Sequence, residues 1–277
     1  MKQFILPVPP DADGTVRLTE KDFHYLVRVR RMVPGTVFDA LLPSGEPVKI
    51  RVASVDGACL TGVCLAAKDE AAPDITLPPI LLFQALPKGA RMDLIVRQAT
   101  EGGITEIVPF LSAYAAHQIP VDTLDSSANR LNRWQRIIKE ARQQSGSGVA
   151  TSIKAPCTVD ALLKYWEALQ RRCPRTRGIL LHPGPTGPNG PLEQGTFHGY
   201  LDSNPDLVAV LIGPEGGFSP EEAAQFQAAG FKPLIMGDTI LRTETAALYA
   251  AAAIRIILLE KPSWELKIPT SPSESTC

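Results

Sequence analysis

No stretch of this 277-residue sequence stays apolar for about 18 residues, so no bilayer-spanning helix and no membrane partner are expected. Nor does an apolar segment with a small-residue cleavage site follow Met1, which argues against secretion and for a cytoplasmic location. Cysteine is sparse. Cys59, Cys64, Cys157, Cys173 and Cys277 are scattered and odd in number, and no pair has metal-ligand spacing. That argues against a disulfide framework, leaves no metal site to expect, and fits reduced thiols. Charge of either sign is not in excess either. The formal net charge is −1, so no whole-molecule field draws a polyanion to the surface. Two nucleotide signatures are missing as well. The absence of G-x-G-x-x-G and of G-x-x-x-x-G-K-[ST] argues against a dinucleotide oxidoreductase and a P-loop enzyme.

What is present is enough apolar material for two domains and two distinct patterns of using it. Hydrophobic residues make up 44% of the chain. Residues 1–72 read as a small barrel-like β module. Thr19-Glu20-Lys21-Asp22 resembles a capping box, with a helix continuing from Phe23 to Arg30. Val37 to Leu42 is an apolar run between two turns. Val48, Ile50 and Val52 then alternate with Lys49 and Arg51, as a half-buried strand requires, and Asp56-Gly57 signals a hairpin before Cys59 to Leu65. Residues 73–79, with Pro73, Pro78 and Pro79, read as a linker. From 80 to 260 strand and helix alternate. Strands are expected at Ile80 to Leu86, Ile104 to Phe110, Gly178 to His182, Leu207 to Ile212 and Phe231 to Met236. Helices are expected at Arg91 to Glu101, Asn129 to Gln144, Val159 to Gln170, Ser219 to Ala229 and Thr243 to Glu260. Near-continuous apolar strands joined by helices predict a parallel sheet covered on both faces. Residues 261–277, rich in Pro, Ser and Thr, read as a disordered tail.

Local charge departs from the balanced total. Arg130, Arg133, Arg136, Lys139 and Arg142 are opposed only by Glu140. Arg171, Arg172, Arg175 and Arg177 form a second cluster, and Arg28, Arg30 and Arg31 a third. Each either meets phosphate or is a solvated face. Three loops follow three strands in the last third of the chain: His182-Pro183-Gly184, Gly213-Pro214-Glu215-Gly216-Gly217 and Gly237-Asp238-Thr239-Ile240-Leu241. Ligands of open parallel sheets bind beyond the carboxyl ends of the strands, and glycine there lets the main chain approach closely. Ser219-Pro220-Glu221-Glu222 opens the following helix with a serine cap, proline at the first position and glutamate at the third. No lysine lies in the three loops to meet a phosphate. A nucleoside walled by Ile212, Met236, Ile240 and Leu241, with Ala246 allowing close approach, fits better than a triphosphate, although core packing and plain turn geometry also account for these residues.

Two segments carry a resemblance. Leu211 to Ser219 (LIGPEGGFS) and Met236 to Ala246 (MGDTILRTETA) are similar to the signature segments of the RsmE-type ribosomal-RNA uridine-N3 methyltransferases of the SPOUT superfamily. His24 to Gly35 resembles the RNA-binding, PUA-like barrel of that family, and Gln98-Ala99-Thr100-Glu101 with Gly103-Ile104 the start of its catalytic domain. The resemblance implies an α/β fold in which a PUA-like β-barrel precedes a SPOUT parallel-sheet domain with a trefoil knot, an exception to the rule against knots. It implies a homodimer, S-adenosyl-L-methionine as cofactor, and 16S ribosomal RNA or the small ribosomal subunit as partner, methylated at N3 of a uridine. His182, Ile212, Gly213, Pro214, Glu215, Gly216, Gly217, Met236, Gly237, Ile240, Leu241, Arg242, Thr243 and Ala246 are the cofactor-binding candidates it implies. Arg28, Arg31 and Arg91 are the candidates for RNA.

Methylating uracil N3 requires loss of its proton or stabilisation of the uracil anion. Arg242, as a donor to a uracil carbonyl, and Glu244, as proton acceptor or as a support for Arg242, are the catalytic candidates. Glu215 is a further candidate base. Thr243 and Glu244 alternatively do no more than start the last helix. Gly102, the Tyr114-Ala115-Ala116-His117 stretch, Ser147 and Ala150 depart from the family pattern and bear on RNA contact and target choice. The alternative readings are a SPOUT methyltransferase with another RNA target and a non-catalytic RNA-binding factor in ribosome assembly.

Overall fold

The computed structural model describes residues 4–65, 77–116, 127–181, 196–202, 204–236 and 239–263. Alternating burial builds the first layer. Strands β1 (Phe4–Ile5), β2 (Thr15–Thr19), β3 (Val37–Leu41), β4 (Pro47–Asp56) and β5 (Cys59–Leu65) form one curled sheet in the order β1-β3-β4-β5-β2. All its pairings are antiparallel except β1 with β3. In β4, Ile50 and Val52 point into the core while Lys49 and Arg51 face solvent, as the period of two demands. Phe4, Leu18, Leu26, Phe38, Ile50 and Leu60 fill the interior. Each such side chain contributes about 1.5–3 kcal/mol on burial. The hairpin expected at Asp56-Gly57 is there, with Gly57 at φ +59.

The capping box expected at Thr19 is not. Thr19 makes no side-chain cap, and Glu20 adopts φ +50. The reciprocal bond needs a Glu or Gln at the third helical position, and Asp22 is too short to reach back. The helix also differs in kind. Helix α1 (Glu20–Phe23) runs into a π-helical stretch over His24–Val29, closed by the Arg30 N–H donating to the Tyr25 carbonyl at 2.9 Å. The wider turn buries Leu26 and leaves Arg28 and Arg31 outside.

The second layer comprises β6 (Ile80–Ala85), α2 (Arg91–Glu101), β7 (Glu106–Leu111), α3 (Ala113–Ala116), α4 (Ser127–Ser145), β8 (Ser152–Ile153), β9 (Cys157–Thr158), α5 (Val159–Arg172), β10 (Thr176–Leu181), α6 (Thr196–Asp202), β11 (Leu207–Ile212), α7 (Pro220–Ala228), β12 (Phe231–Leu234) and α8 (Thr243–Ser263). The strands lie in the order β12-β10-β11-β6-β7-β8, with β9 also on β7, and every pairing is parallel. This is the parallel α/β sheet that the alternation of elements predicts. Every residue of β6 and β11 is buried. Ile80 and Leu82 meet α2, α4 and α8 on one face, and Leu81 and Phe83 meet α5 and α7 on the other. Helix α2 ends at Gly102-Gly103, where Gly103 takes φ +76.

The small sheet sits against the end of α4. Gly45, at φ +97, approaches Gly148 so closely that a Cβ would lie 1.7 Å from the Gly148 carbonyl oxygen. Beneath it the Arg142 guanidinium is buried and donates to the Pro43 carbonyl at 3.5 Å. That desolvation holds its pKa below the ordinary arginine range.

Candidate active site

The carboxyl ends of β11, β6 and β7 converge with the start of α8. The loop leaving β11 closes on itself: Gly217, at φ +71, donates its N–H to the Pro214 carbonyl at 2.9 Å. Glycine meets that backbone without the Cβ cost other residues bear. Ser219 then caps α7 with Pro220 behind it, and the reciprocal Glu222 bond is present. Here the capping box read from the sequence forms as expected. Glu222 does more than cap. Its Oε2 accepts from Ser219 N at 3.0 Å, and its Oε1 accepts from Ala113 N at 2.6 Å. One buried carboxylate therefore fixes the β7 tip and the β11 tip to each other.

Thr243 locks the third piece. Its hydroxyl donates to the Gly213 carbonyl at 2.7 Å and accepts from Gln84 Nε2 at 3.0 Å. The first residue of α8 is thus tied to the ends of both β11 and β6. Ala246, one turn on, is buried and donates its N–H to the Arg242 carbonyl at 2.7 Å. Arg242 itself is exposed beside Thr243. Glu244 is half-buried, and its Oε2 is buried without a partner among the described residues. Gln84 Oε1 is in the same condition. Buried acceptors without donors are costly, and a bound ligand carrying N–H, O–H or positive charge relieves them.

Glu215 and Arg91, expected separately for cofactor and RNA, form one ion pair: Arg91 Nη1 lies 2.5 Å from Glu215 Oε1, which also accepts from Lys88 N at 3.1 Å. Ile212 is buried at the end of β11, and Met236 and Leu241 pack partly buried against the same core. Ile240 is 83% exposed. His182 and Gly237 lie outside the described residues. Beside the Pro214–Gly216 stretch a cavity of about 580 Å³ opens, bounded by Leu86, Tyr114, Trp134, Arg130 and Arg133.

The three basic clusters separate. In the second, Arg171 pairs with Glu167 at 2.6 Å and Arg175 with Asp206 at 2.5 Å, which makes that stretch a locally compensated surface. In the first, Arg133 pairs with Asp93. Arg28 and Arg31 are exposed with no salt bridge among the described residues. Sequence reasoning missed Gln84, met Tyr114 only within a stretch that departs from the family pattern, and read Glu222 only as a cap. Gln84 had a signal, as the one polar residue in the run ILLFQA. The second role of Glu222 had none, because it depends on a loop more than a hundred positions earlier. Among the described residues no group of His, Cys, Asp and Glu is placed to hold a metal, and no helix is long and apolar enough to cross a membrane.

A family model described as an RNA methyltransferase domain matches residues 75–255. The Ribosomal RNA small subunit methyltransferase E of Synechocystis sp. is 32% identical over 248 residues, which is 89% of this chain and 74% of that protein. The protein of the same name from Bacillus subtilis is 27% identical over 243 residues, 87% of this chain and 89% of its own length. A solved structure of a Ribosomal RNA small subunit methyltransferase E from Neisseria gonorrhoeae, bound to S-adenosyl methionine, superposes with a TM-score of 0.71 at 26% identity, over 93% of this chain and 98% of that one.

Proposed function

The chain belongs to the RNA methyltransferase family, and from that premise we propose that it methylates small-subunit ribosomal RNA at N3 of a uridine, using S-adenosylmethionine. The observation that carries this reading is the knitting of the β6, β7 and β11 tips to α8 through Thr243 and Glu222. It gathers the glycine-rich loop after β11, the buried Ile212 and Ala246, and the Gln84 and Thr243 side chains at one end of the sheet.

The residues fit the cofactor. Main-chain groups of Gly213 to Gly217 would hold its polar atoms, and Ile212, Met236, Leu241 and Ala246 would flank its base. His182, Gly237 and Ile240 complete the set that the family resemblance implies. When bound, S-adenosylmethionine supplies an electrophilic methyl group on a sulfonium. The chain supplies the rest. The Glu244 carboxylate takes the N3 proton, and the Arg242 guanidinium donates to a uracil carbonyl as negative charge develops there. Aligned reactants and a preorganised donor are each worth several kcal/mol of barrier. Glu215 holds Arg91 beside the loop, where the remaining guanidinium donors face RNA. Arg28, on the π-helical stretch, and Arg31, just after it, add phosphate contacts. The reading places the barrel, through residue 72, as the RNA-gripping domain and residues 80–260 as the catalytic one, in the cytoplasm where ribosomal RNA is found.

A homodimer belongs to the same proposal. Tyr249, Ala252 and Ile256 lie exposed along one side of α8, at helical spacing, and form an apolar stripe suited to a second copy. Light scattering tests it: Ile256→Glu is expected to be monomeric where the parent chain is dimeric, and a parent chain that is itself monomeric refutes it. The functional reading is tested by titrating S-adenosylmethionine calorimetrically and following labelled methyl transfer to small-subunit ribosomal RNA. Saturable binding and base-stable label in a uridine support it; no cofactor binding refutes it.

A further inference from the structure

We propose that the ring of Tyr114 is a stacking platform for the acceptor base, which leaves its RNA stack to enter the cavity beside the Pro214–Gly216 loop. The inference rests on the proposed methyltransferase function and adds a residue and a mode of binding to it. A base stacked in a helix hides its N3 edge, so an enzyme acting there needs the base extruded into a pocket or taken from a single strand. Such a pocket needs a flat π-face for the base and cations for the phosphates on either side.

The cavity meets both needs. Tyr114 is 44% exposed although its neighbour Ala115 is buried. Its ring lies against the Gly216 main chain, since a Cβ added to Gly216 would meet Tyr114 Cβ and Cδ2 at 3.5 Å. The tyrosine thereby borders the same loop that would hold the cofactor. Its position is fixed from beneath: Ala113 N donates to the buried Glu222 carboxylate, and Ala115 N donates to the Ser112 carbonyl at 3.0 Å. A platform held this way loses little freedom when a base lands on it. Leu86, Met92 and Trp134 provide an apolar interior. Lys88 and Arg130 border it, and neither forms a salt bridge among the described residues. The volume, about 580 Å³, lies in the range of pockets that enclose small ligands, roughly 300–1,000 Å³. An apolar interior with an exposed aromatic wall, bordered by Lys88 and Arg130 and by the carboxylates of Asp93 and Glu215 that are already paired with Arg133 and Arg91, suits a nucleotide with an uncharged flat base inside and its phosphates outside.

The test uses the full chain and small-subunit ribosomal RNA lacking the modification. Tyr114→Leu keeps the apolar bulk and removes the π-face. It is expected to weaken RNA affinity, and to raise the KM for RNA, by about 5- to 150-fold, the span that loss of one base–aromatic stack produces. S-adenosylmethionine affinity is expected to stay at the parent value. Tyr114→Trp is expected to restore RNA affinity, because it restores the ring and not the hydroxyl. Photocrosslinking to RNA carrying 4-thiouridine is expected to place the crosslink on the peptide containing Tyr114. Parent-level RNA affinity in Tyr114→Leu overturns the proposal. So does a Trp variant as defective as the Leu variant, or a loss of cofactor binding in Tyr114→Leu, which would put the cofactor's own base in the slot. RNA affinity and the crosslink require no turnover. They therefore judge Tyr114 even if the parent chain transfers no methyl group, a result that would instead sink the functional reading. Should the Leu variant fail to fold, the Trp variant and the crosslink decide.

Discussion

Strands β4 and β6 use apolar residues in opposite ways. In β4 burial alternates, and Lys49 and Arg51 remain outside; in β6 every side chain from Ile80 to Ala85 is covered. A strand of the first kind keeps a wet face that can carry charge along its length. A strand of the second kind has no free face, so its chemistry is confined to its tip. The small sheet is therefore suited to touching a long polyanion, and the parallel sheet to enclosing a small reactive centre. The residues we propose as functional divide between the two parts, with Arg28 on the π-helical stretch and Arg31 just after it beside the small sheet, and Gly213 to Gly217, Arg242 and Glu244 at the tips of the parallel one.

The comparison breaks most visibly at Arg242. Arg242→Ala is expected to lower methyl transfer by about 10²- to 10³-fold, the cost of losing one donor to a developing anion, while cofactor binding persists. Single-turnover rates beside calorimetry check it, and unchanged turnover would remove the tip chemistry from this residue. Thr243→Val is the next effect in size. It removes the hydroxyl that serves both Gly213 and Gln84, leaving the Gly213 carbonyl without that donor and Gln84 Nε2 with the Ala85 carbonyl, at a cost of about 1–3 kcal/mol. Denaturant unfolding is expected to show that loss, and Thr243→Ser to recover most of it. If Val proves neutral, the knitting of the tips is not what holds the site.

Much of this division was legible in the sequence. Near-continuous apolar runs at Leu207 to Ile212 and Ile80 to Leu86 announced covered strands, and the Ser219 capping box placed the loop before α7. What escaped was whatever depends on partners distant in the chain. The β1 and β2 strands are short, and β1 pairs with β3, more than thirty residues later. The π-helical stretch after α1 answers to packing of Leu26, not to propensity. The Thr19 cap is absent where Glu20 turns to φ +50, and Tyr114, legible only as part of a stretch that departs from the family pattern, owes its place to the Gly216 main chain beside it.

The smallest effect sharpens the other side of the comparison. Arg28→Ala combined with Arg31→Ala is expected to reduce the slope of log affinity for RNA against log salt by about 1 per lost phosphate contact, with S-adenosylmethionine binding untouched. Titration of RNA at several ionic strengths reports it, and an unaltered slope would take both arginines out of the interface.

The central claim is that the strand tips and α8 methylate a uridine of small-subunit ribosomal RNA. Mass spectrometry of nucleosides from that RNA, in cells with and without this protein, tests it most directly. The account predicts an N3-methyluridine that disappears with the protein and does not return with the Arg242→Ala variant. Identical nucleoside profiles in the two RNAs would contradict it.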